Sequence, residues 1–475
     1  MSVVYFANGA VFAFMGMLMV LDAILFPQTA RDFGAAGLLA VVLGTSIAMA
    51  SRSRAQHQFA DIRRVHTFVL TATVWLSAAI AGGMPLAFWG MGWTDAFFES
   101  MSGITTTGST VMVGLDQTPR GILLWRAVLQ ALGGIGFVVA GIALLPVMRV
   151  GGMQLFRTES SDKSDNELNS AARFATATLY VYLALIGVCA VVYAFGGMSP
   201  FDAIVHALTT LSTGGYSNYD ASFGHFTSPF LQWAATFFML LGSLPFAWYI
   251  AVLAKGRVRS EQVTAFLIGL VFVIALLTVW LVSSRQANLL DALRLVAFNV
   301  ISVVSTTGYA TADYTLWGPF AVTIFMAITA IGGCTGSTAG GVKVMRWLIF
   351  VRSLKAQIAR VHSPHVVVSP HYEGKAIAPD VVDGIIFFFS AYFVTFAMLS
   401  MALGFVGLDF QTAVSGALTS LANVGPGVGA IIGPAGNFAP LPESAKNLLS
   451  FGMYLGRLEL MTVFVLFAPA YWREI

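Results

Sequence analysis

Asp291-Ala-Leu-Arg294 opens an apolar stretch that ends in Ser305-Thr306-Thr307-Gly308-Tyr309. The unit is an acid, a half-length hydrophobic run and a hydroxyl-rich step into glycine. A helix needs about 20 apolar residues to cross a hydrocarbon core. The run that stops at Val304 is shorter, so it reads as a helix that enters a membrane from one side and turns back.

The unit occurs four times. The other copies are Asp95-Ala-Phe-Phe-Glu99 with Ile104-Thr-Thr-Thr-Gly-Ser109, Asp202-Ala-Ile-Val-His206 with Leu211-Ser-Thr-Gly-Gly-Tyr216, and Asp409-Phe-Gln-Thr412 with Ala422-Asn-Val-Gly-Pro-Gly427. Asp is a good helix N-cap, because its carboxylate takes the orphan N–H groups of the first turn. Asp95, Asp202, Asp291 and Asp409 are therefore expected to start four short helices. Glycine ends each one, since it accepts a positive φ. Irregular backbone at membrane depth survives only inside protein or along a wet cavity. Four such turns about one axis would present rings of carbonyl oxygens able to replace the water around a cation. The helix C-termini aimed inward would add partial negative charge. One Thr-Gly pair is ordinary small-residue packing; four at matching places form a repeat.

Composition agrees with a membrane setting. Of 475 residues, 57% are hydrophobic and only 10% charged, against about a quarter charged in soluble domains. Ten spanning helices are expected, near 10–26, 34–50, 65–89, 121–147, 174–196, 228–254, 262–283, 317–349 (interrupted), 383–407 and 446–470. The loops at 51–64, 148–173, 255–261 and 343–380, with the C-terminal tail, hold 18 of the 25 basic residues. The positive-inside rule places these loops and both termini in the cytoplasm. The first apolar run, Val11 to Phe26, reads as a retained helix, not a secretory signal. Cys189 and Cys334 make no disulfide framework or metal motif, and no nucleotide-binding fingerprint is present.

Two further features stand out. Residues 332–341 carry five glycines in ten, each costing a helix about 1 kcal/mol relative to Ala. They read as a break in the eighth span and a flexible loop under the turns. Arg457 lies inside an apolar segment, where a charge is functional by default. Pairing with Glu459 is disfavoured, because residues two apart on a helix do not face each other. Lys343 and Arg346 either anchor the loop or are ordinary cytoplasmic-side charges. Glu99, His206 and Asn299 are expected to brace the turns from behind. Asp116, Asp220 and Asp313 follow their glycines and either concentrate cations at an outer mouth or are plain loop acids.

These motifs, with Gly456-Arg-Leu-Glu459, resemble the membrane subunit of the bacterial Trk potassium-uptake system, within the Trk/Ktr/HKT superfamily. The resemblance covers nearly the whole chain, and the extra N-terminal helix pair is like the Trk branch. It implies an all-α polytopic protein: an N-terminal helix pair (1–60) and four pseudo-symmetric helix–pore loop–helix repeats (61–150, 151–258, 259–375 and 376–475) around a central cation pore. It implies a K+ selectivity filter of Thr106, Thr107 and Gly108; Ser212, Thr213 and Gly214; Thr306, Thr307 and Gly308; and Asn423, Val424 and Gly425. Gly108 stands where a Ser goes with Na+ preference in the family. The resemblance makes Gly332, Gly333, Cys334, Thr335, Gly336, Ser337, Thr338, Ala339, Gly340 and Gly341 the intramembrane gating loop, and Arg457 an electrostatic barrier in the pore.

The expected activity is thus K+ uptake across the inner membrane, with no enzymatic step and no cofactor. An alternative is a carrier coupling K+ to H+ or Na+. The charge-free spans leave few titratable groups near the midplane, which favours a channel-like path. A scaffold has no use for four re-entrant helices. The resemblance also implies a homodimer, one pore per protomer, and a separate cytoplasmic nucleotide-binding regulatory subunit docking on 148–173 and 343–380.

Overall fold

In lipid, a backbone without water must bond within its own segment, and long apolar runs therefore become helices. A computed structural model describes residues 1–58, 64–143, 167–256, 259–363, 365–366 and 368–473. Among them, six helices are long and apolar enough to cross a membrane, or eight if two bent pairs each count as one span. The other two expected spans are Arg120–Ala143 and the broken pair Pro319–Thr329 and Val344–His362, which are helical but lie outside those eight. The expected loop at 148–173 lies outside the described residues up to 166.

The helices Ser2–Leu25 and Ala30–Gln58 pack as an antiparallel pair. A Cβ on Gly16 would sit 2.7 Å from the carbonyl oxygen of Gly37, so bare backbone is what lets the two axes approach. Beyond this pair come four short helices: Trp93–Ile104, Pro200–Leu211, Leu289–Val304 and Phe410–Ala422. Each packs on the spanning helix before it. Each also packs on the second long helix of a neighbouring repeat. Arg120–Ala143 meets the second short helix, Pro229–Gly242 the third, Pro319–Thr329 the fourth, and Glu443–Arg457 returns to the first. The four repeats thus close into a ring. The outward faces stay apolar: Phe195, Phe272 and Phe405 are exposed, as a lipid-facing belt requires.

Two spans expected to be continuous are broken. Pro229–Gly242 and Phe246–Leu253 meet at 91°, and Glu443–Arg457 and Met461–Phe467 at 104°. Pro245 explains the first, because proline has no N–H and its ring clashes with the preceding turn. The second turns at Glu459 and Leu460, both with positive φ (62° and 29°). With the break at 330–343, three of the four repeats are interrupted on their second long helix among the described residues.

Candidate functional site

The four short helices end alike. The N–H groups of Thr106, Thr213, Thr306 and Asn423 donate to the carbonyl three residues back, at 2.9–3.2 Å. Those of Thr107, Gly214, Thr307 and Val424 reach five residues back, at 2.8–3.1 Å. Thr106, Thr213, Thr306 and Asn423 are left-handed, with φ of 53°, 51°, 60° and 54°. Such a conformation is uncommon for residues other than glycine. One residue later but one comes a glycine with positive φ: Gly108, Gly215, Gly308 and Gly425, at 84°, 75°, 81° and 107°.

This register corrects the second repeat by one position. The counterpart of Gly108 is Gly215, not Gly214, and the matching triplet is Thr213-Gly214-Gly215 in place of Ser212-Thr213-Gly214. Ser212 is the helix C-cap. The adjacent glycines Gly214 and Gly215 obscure the register, although Gly215, like Gly108, lies thirteen residues after its Asp and, like Gly308, precedes a Tyr. Backbone conformation separates them, since only Gly215 is left-handed.

The turns meet one another in a closed order. A Cβ on Gly108 would strike the carbonyl oxygen of Gly214, one on Gly215 that of Thr307, and one on Gly308 that of Val424. A Cβ on Gly425 would lie 2.8 Å from the oxygen of Thr107. Each glycine therefore makes room for a carbonyl of the next repeat, and the fourth returns to the first.

Behind the turns stand polar braces. Glu99, in the first short helix, accepts from the Val111 N–H at 2.9 Å and the Thr110 hydroxyl at 2.9–3.0 Å. It also pairs with Arg126 at 2.8 Å, whose guanidinium lies 4.0 Å from the Tyr216 ring centroid. His206 contacts the Asp202 carbonyl through Nδ1 at 2.8 Å and the Ser217 hydroxyl through Nε2 at 3.1 Å. A carbonyl only accepts, so Nδ1 carries the hydrogen and Nε2 accepts from Ser217. Asn299 accepts from the Thr311 N–H at 3.3 Å and donates to its hydroxyl at 2.9 Å. All three braces are fully buried.

The helix starts differ from expectation in three repeats. Asp409 caps its helix, accepting from the Thr412 N–H at 3.1 Å. Elsewhere the caps are Gly92, Ser199 and Asn288. Asp95, Asp202 and Asp291 lie three residues further in, where an acid still complements the positive helix end. Ser199 and Asn288 take the cap because their side chains accept from the Asp202 and Asp291 N–H groups. Asp95 instead pairs with the otherwise buried Lys446 at 2.7 Å, joining the first and fourth repeats.

The glycine-rich segment 330–343 lies directly against the ring. Its Gly340 N–H donates to the Thr306 hydroxyl at 2.7 Å, and its Thr338 hydroxyl to the Leu211 carbonyl at 2.9 Å. The Cys334 N–H donates to the Ser243 carbonyl at 3.0 Å and the Thr338 N–H to that of Gly242 at 3.3 Å. The break at Pro245 is what frees those two carbonyls. Arg457 donates to the carbonyls of Thr338 and Gly133, both at 3.0 Å. Glu459 pairs with Arg346 at 2.6 Å. Lys343 and Arg346 are buried, so they are not surface charges on the cytoplasmic side; Lys343 Nζ bonds the Ala339 carbonyl within the loop.

The family model TrkH, described as a cation transport protein, matches residues 37–474. The chain belongs to the TrkH family. It is 47% identical over 414 residues to the Trk system potassium uptake protein TrkI of Halomonas elongata, covering 86% of this chain and 84% of that protein. It is 34% identical over 426 residues to the Trk system potassium uptake protein TrkH of Escherichia coli K12, covering 87% of each. The crystal structure of the potassium transporter TrkH from Vibrio parahaemolyticus superimposes with a TM-score of 0.90 at 30% identity, covering 99% of both chains. As a TrkH-family member this is a multi-pass membrane transporter.

In this TrkH-family chain Asp116, Asp220 and Asp313 have structural partners. Asp220 accepts from the Gly114 and Leu115 N–H groups at 2.9–3.1 Å, and Asp116 from the Asp220 N–H at 3.2 Å. Asp313 caps the turn Tyr314–Trp317. Sequence reasoning missed Arg126 and Gln130. Arg126 sits in an apolar run, where a charge signals a buried acceptor. Gln130 gave no signal of its own.

Proposed function

We propose that this chain takes up potassium across the bacterial inner membrane through a gated, channel-like path formed by the ring of four turns. The closed order of Gly108, Gly215, Gly308 and Gly425, each against a carbonyl of the next repeat, carries this reading. K+ sheds water and takes carbonyl oxygens in its place. The candidate ligands are Thr106, Thr107 and Gly108; Thr213, Gly214 and Gly215; Thr306, Thr307 and Gly308; and Asn423, Val424 and Gly425. The relatives' description as potassium uptake proteins supports the choice of ion.

The segment Gly332 to Gly341 is the gate in this reading. Its hydrogen bonds to Leu211 and Thr306 place it against the ring. Arg457, bonded to that segment, sets an electrostatic barrier to the next cation. The working unit is a homodimer with both termini in the cytoplasm. A separate nucleotide-binding subunit regulates it through the 343–380 region.

Flux of K+, Rb+, Na+ and Li+ into vesicles holding the purified protein tests the proposal, with Gly108→Ser alongside. K+ and Rb+ should outrun Na+ and Li+, and Gly108→Ser should lose that preference. Flux that follows an imposed proton or sodium gradient, and stops without it, would replace the channel-like path with a coupled carrier.

A further inference from the structure

The second turn lacks a side chain that the other three possess. Thr107, Thr307 and Val424 precede their ring glycines; Gly214 precedes Gly215. Gly214 is not left-handed, so backbone conformation does not require glycine there. Space does. A Cβ on Gly214 would run into the carboxamide of Gln130, with Nε2 2.7 Å away. Gln130 comes from the helix Arg120–Ala143 of the preceding repeat and is fully buried. Its Nε2 donates to the Gly214 carbonyl at 2.6 Å, and its Oε1 accepts from the Tyr216 N–H at 3.1 Å. One side chain thus clamps the backbone on both sides of Gly215.

The donated bond lands on a ring oxygen. The Gly214 carbonyl is the one that lies against Gly108, and its counterparts are those of Thr307, Val424 and Thr107. Among the described residues, no hydrogen bond reaches those three oxygens. A carbonyl oxygen carries two lone pairs, and an amide N–H on one draws electron density away from a cation at the other. We infer that Gln130 is a specificity-determining positioning residue: by holding the Gly214 oxygen it leaves the ring with three free carbonyls and one shared. A ring with one weakened oxygen exerts a lower field on the ion. That works against the smaller, more tightly hydrated Na+ relative to K+.

This inference rests on the ring being the cation path, and the test separates the two. K+ and Na+ fluxes are compared in vesicles for Gln130→Met, for the double variant Gln130→Ala/Gly214→Thr, and for Gly108→Ser. Gln130→Met keeps the bulk and removes the donor; the double variant refills the space from the other side, also without a donor. Both should lower the K+ to Na+ ratio by about two- to tenfold, the worth of one buried hydrogen bond. An unchanged ratio in Gln130→Met, or a wild-type ratio in the double variant, overturns the inference, the latter because packing alone would then account for Gln130. Where Gly108→Ser shifts the preference and Gln130→Met does not, only the inference falls. Where Gly108→Ser leaves K+ preference intact, the ring reading falls and takes the inference with it. For any variant without flux, the rise in melting temperature of the full-length protein in K+ against Na+ reads the same preference. The gap should narrow in both Gln130 variants, and an unchanged gap overturns the inference.

Discussion

The hydroxyl of Thr306 accepts a hydrogen bond from the backbone N–H of Gly340 at 2.7 Å. A residue held left-handed in the ring is thereby fastened to the glycine-rich loop beneath it. Ring and loop share this link, so strain in one is felt by the other.

Thr306→Val keeps the side-chain shape and removes the acceptor. The Gly340 N–H is then buried without a partner, which costs about 1–3 kcal/mol. The loop should leave the ring more readily, and Rb+ uptake into vesicles should rise severalfold. Unchanged uptake would show that this bond does not hold the loop closed.

Arg457 ties the last broken helix to the same loop through the Thr338 carbonyl. Arg457→Ala removes the tether and, in the proposed pore, a positive charge beside the path. Charge-assisted bonds are worth about 1.5–3 kcal/mol, so cation flux should increase roughly tenfold or more. Equal flux in a well-folded variant would reject the barrier role.

Two glycine substitutions should differ sharply. Gly308 is left-handed and its Cβ would strike the Val424 oxygen. Gly404 sits in the helix Pro379–Phe405 with nothing within 4 Å of a Cβ. Gly308→Ala should abolish K+-selective flux, whereas Gly404→Ala should leave flux and melting temperature nearly unchanged. Similar behaviour of the two would argue against a crowded ring.

Glu99 and Arg126 are a buried pair 2.8 Å apart. Glu99→Ala strands the guanidinium and should lower stability by about 3–5 kcal/mol. Melting of the detergent-purified protein measures this. Glu99→Gln, which still accepts from Val111, should lose less; equal losses would mean that the charge is not the stabilising feature.

Much was legible in the sequence because membrane chemistry writes it there. Apolar runs fix where helices lie, since unbonded backbone in lipid is too costly. The fourfold spacing of acid, short run and glycine marks the re-entrant units. Asp409 could be read as a cap from its residue type, but Asp202 and Asp291 could not be told from neighbouring Ser199 and Asn288, nor Asp95 from Gly92. A cap depends on where the chain turns, and Ser, Asn and Asp all accept the same bond.

The sequence by itself determined that this is a helical membrane protein with four re-entrant turns, because periodicity and apolarity are local properties of the chain. The tertiary structure alone decided that Gln130 fills the gap beside Gly214 and that Glu459 belongs to Arg346. Those are choices among residues distant in sequence. They are settled by which backbones can approach and which buried polar groups find partners, and neither is written in any single segment.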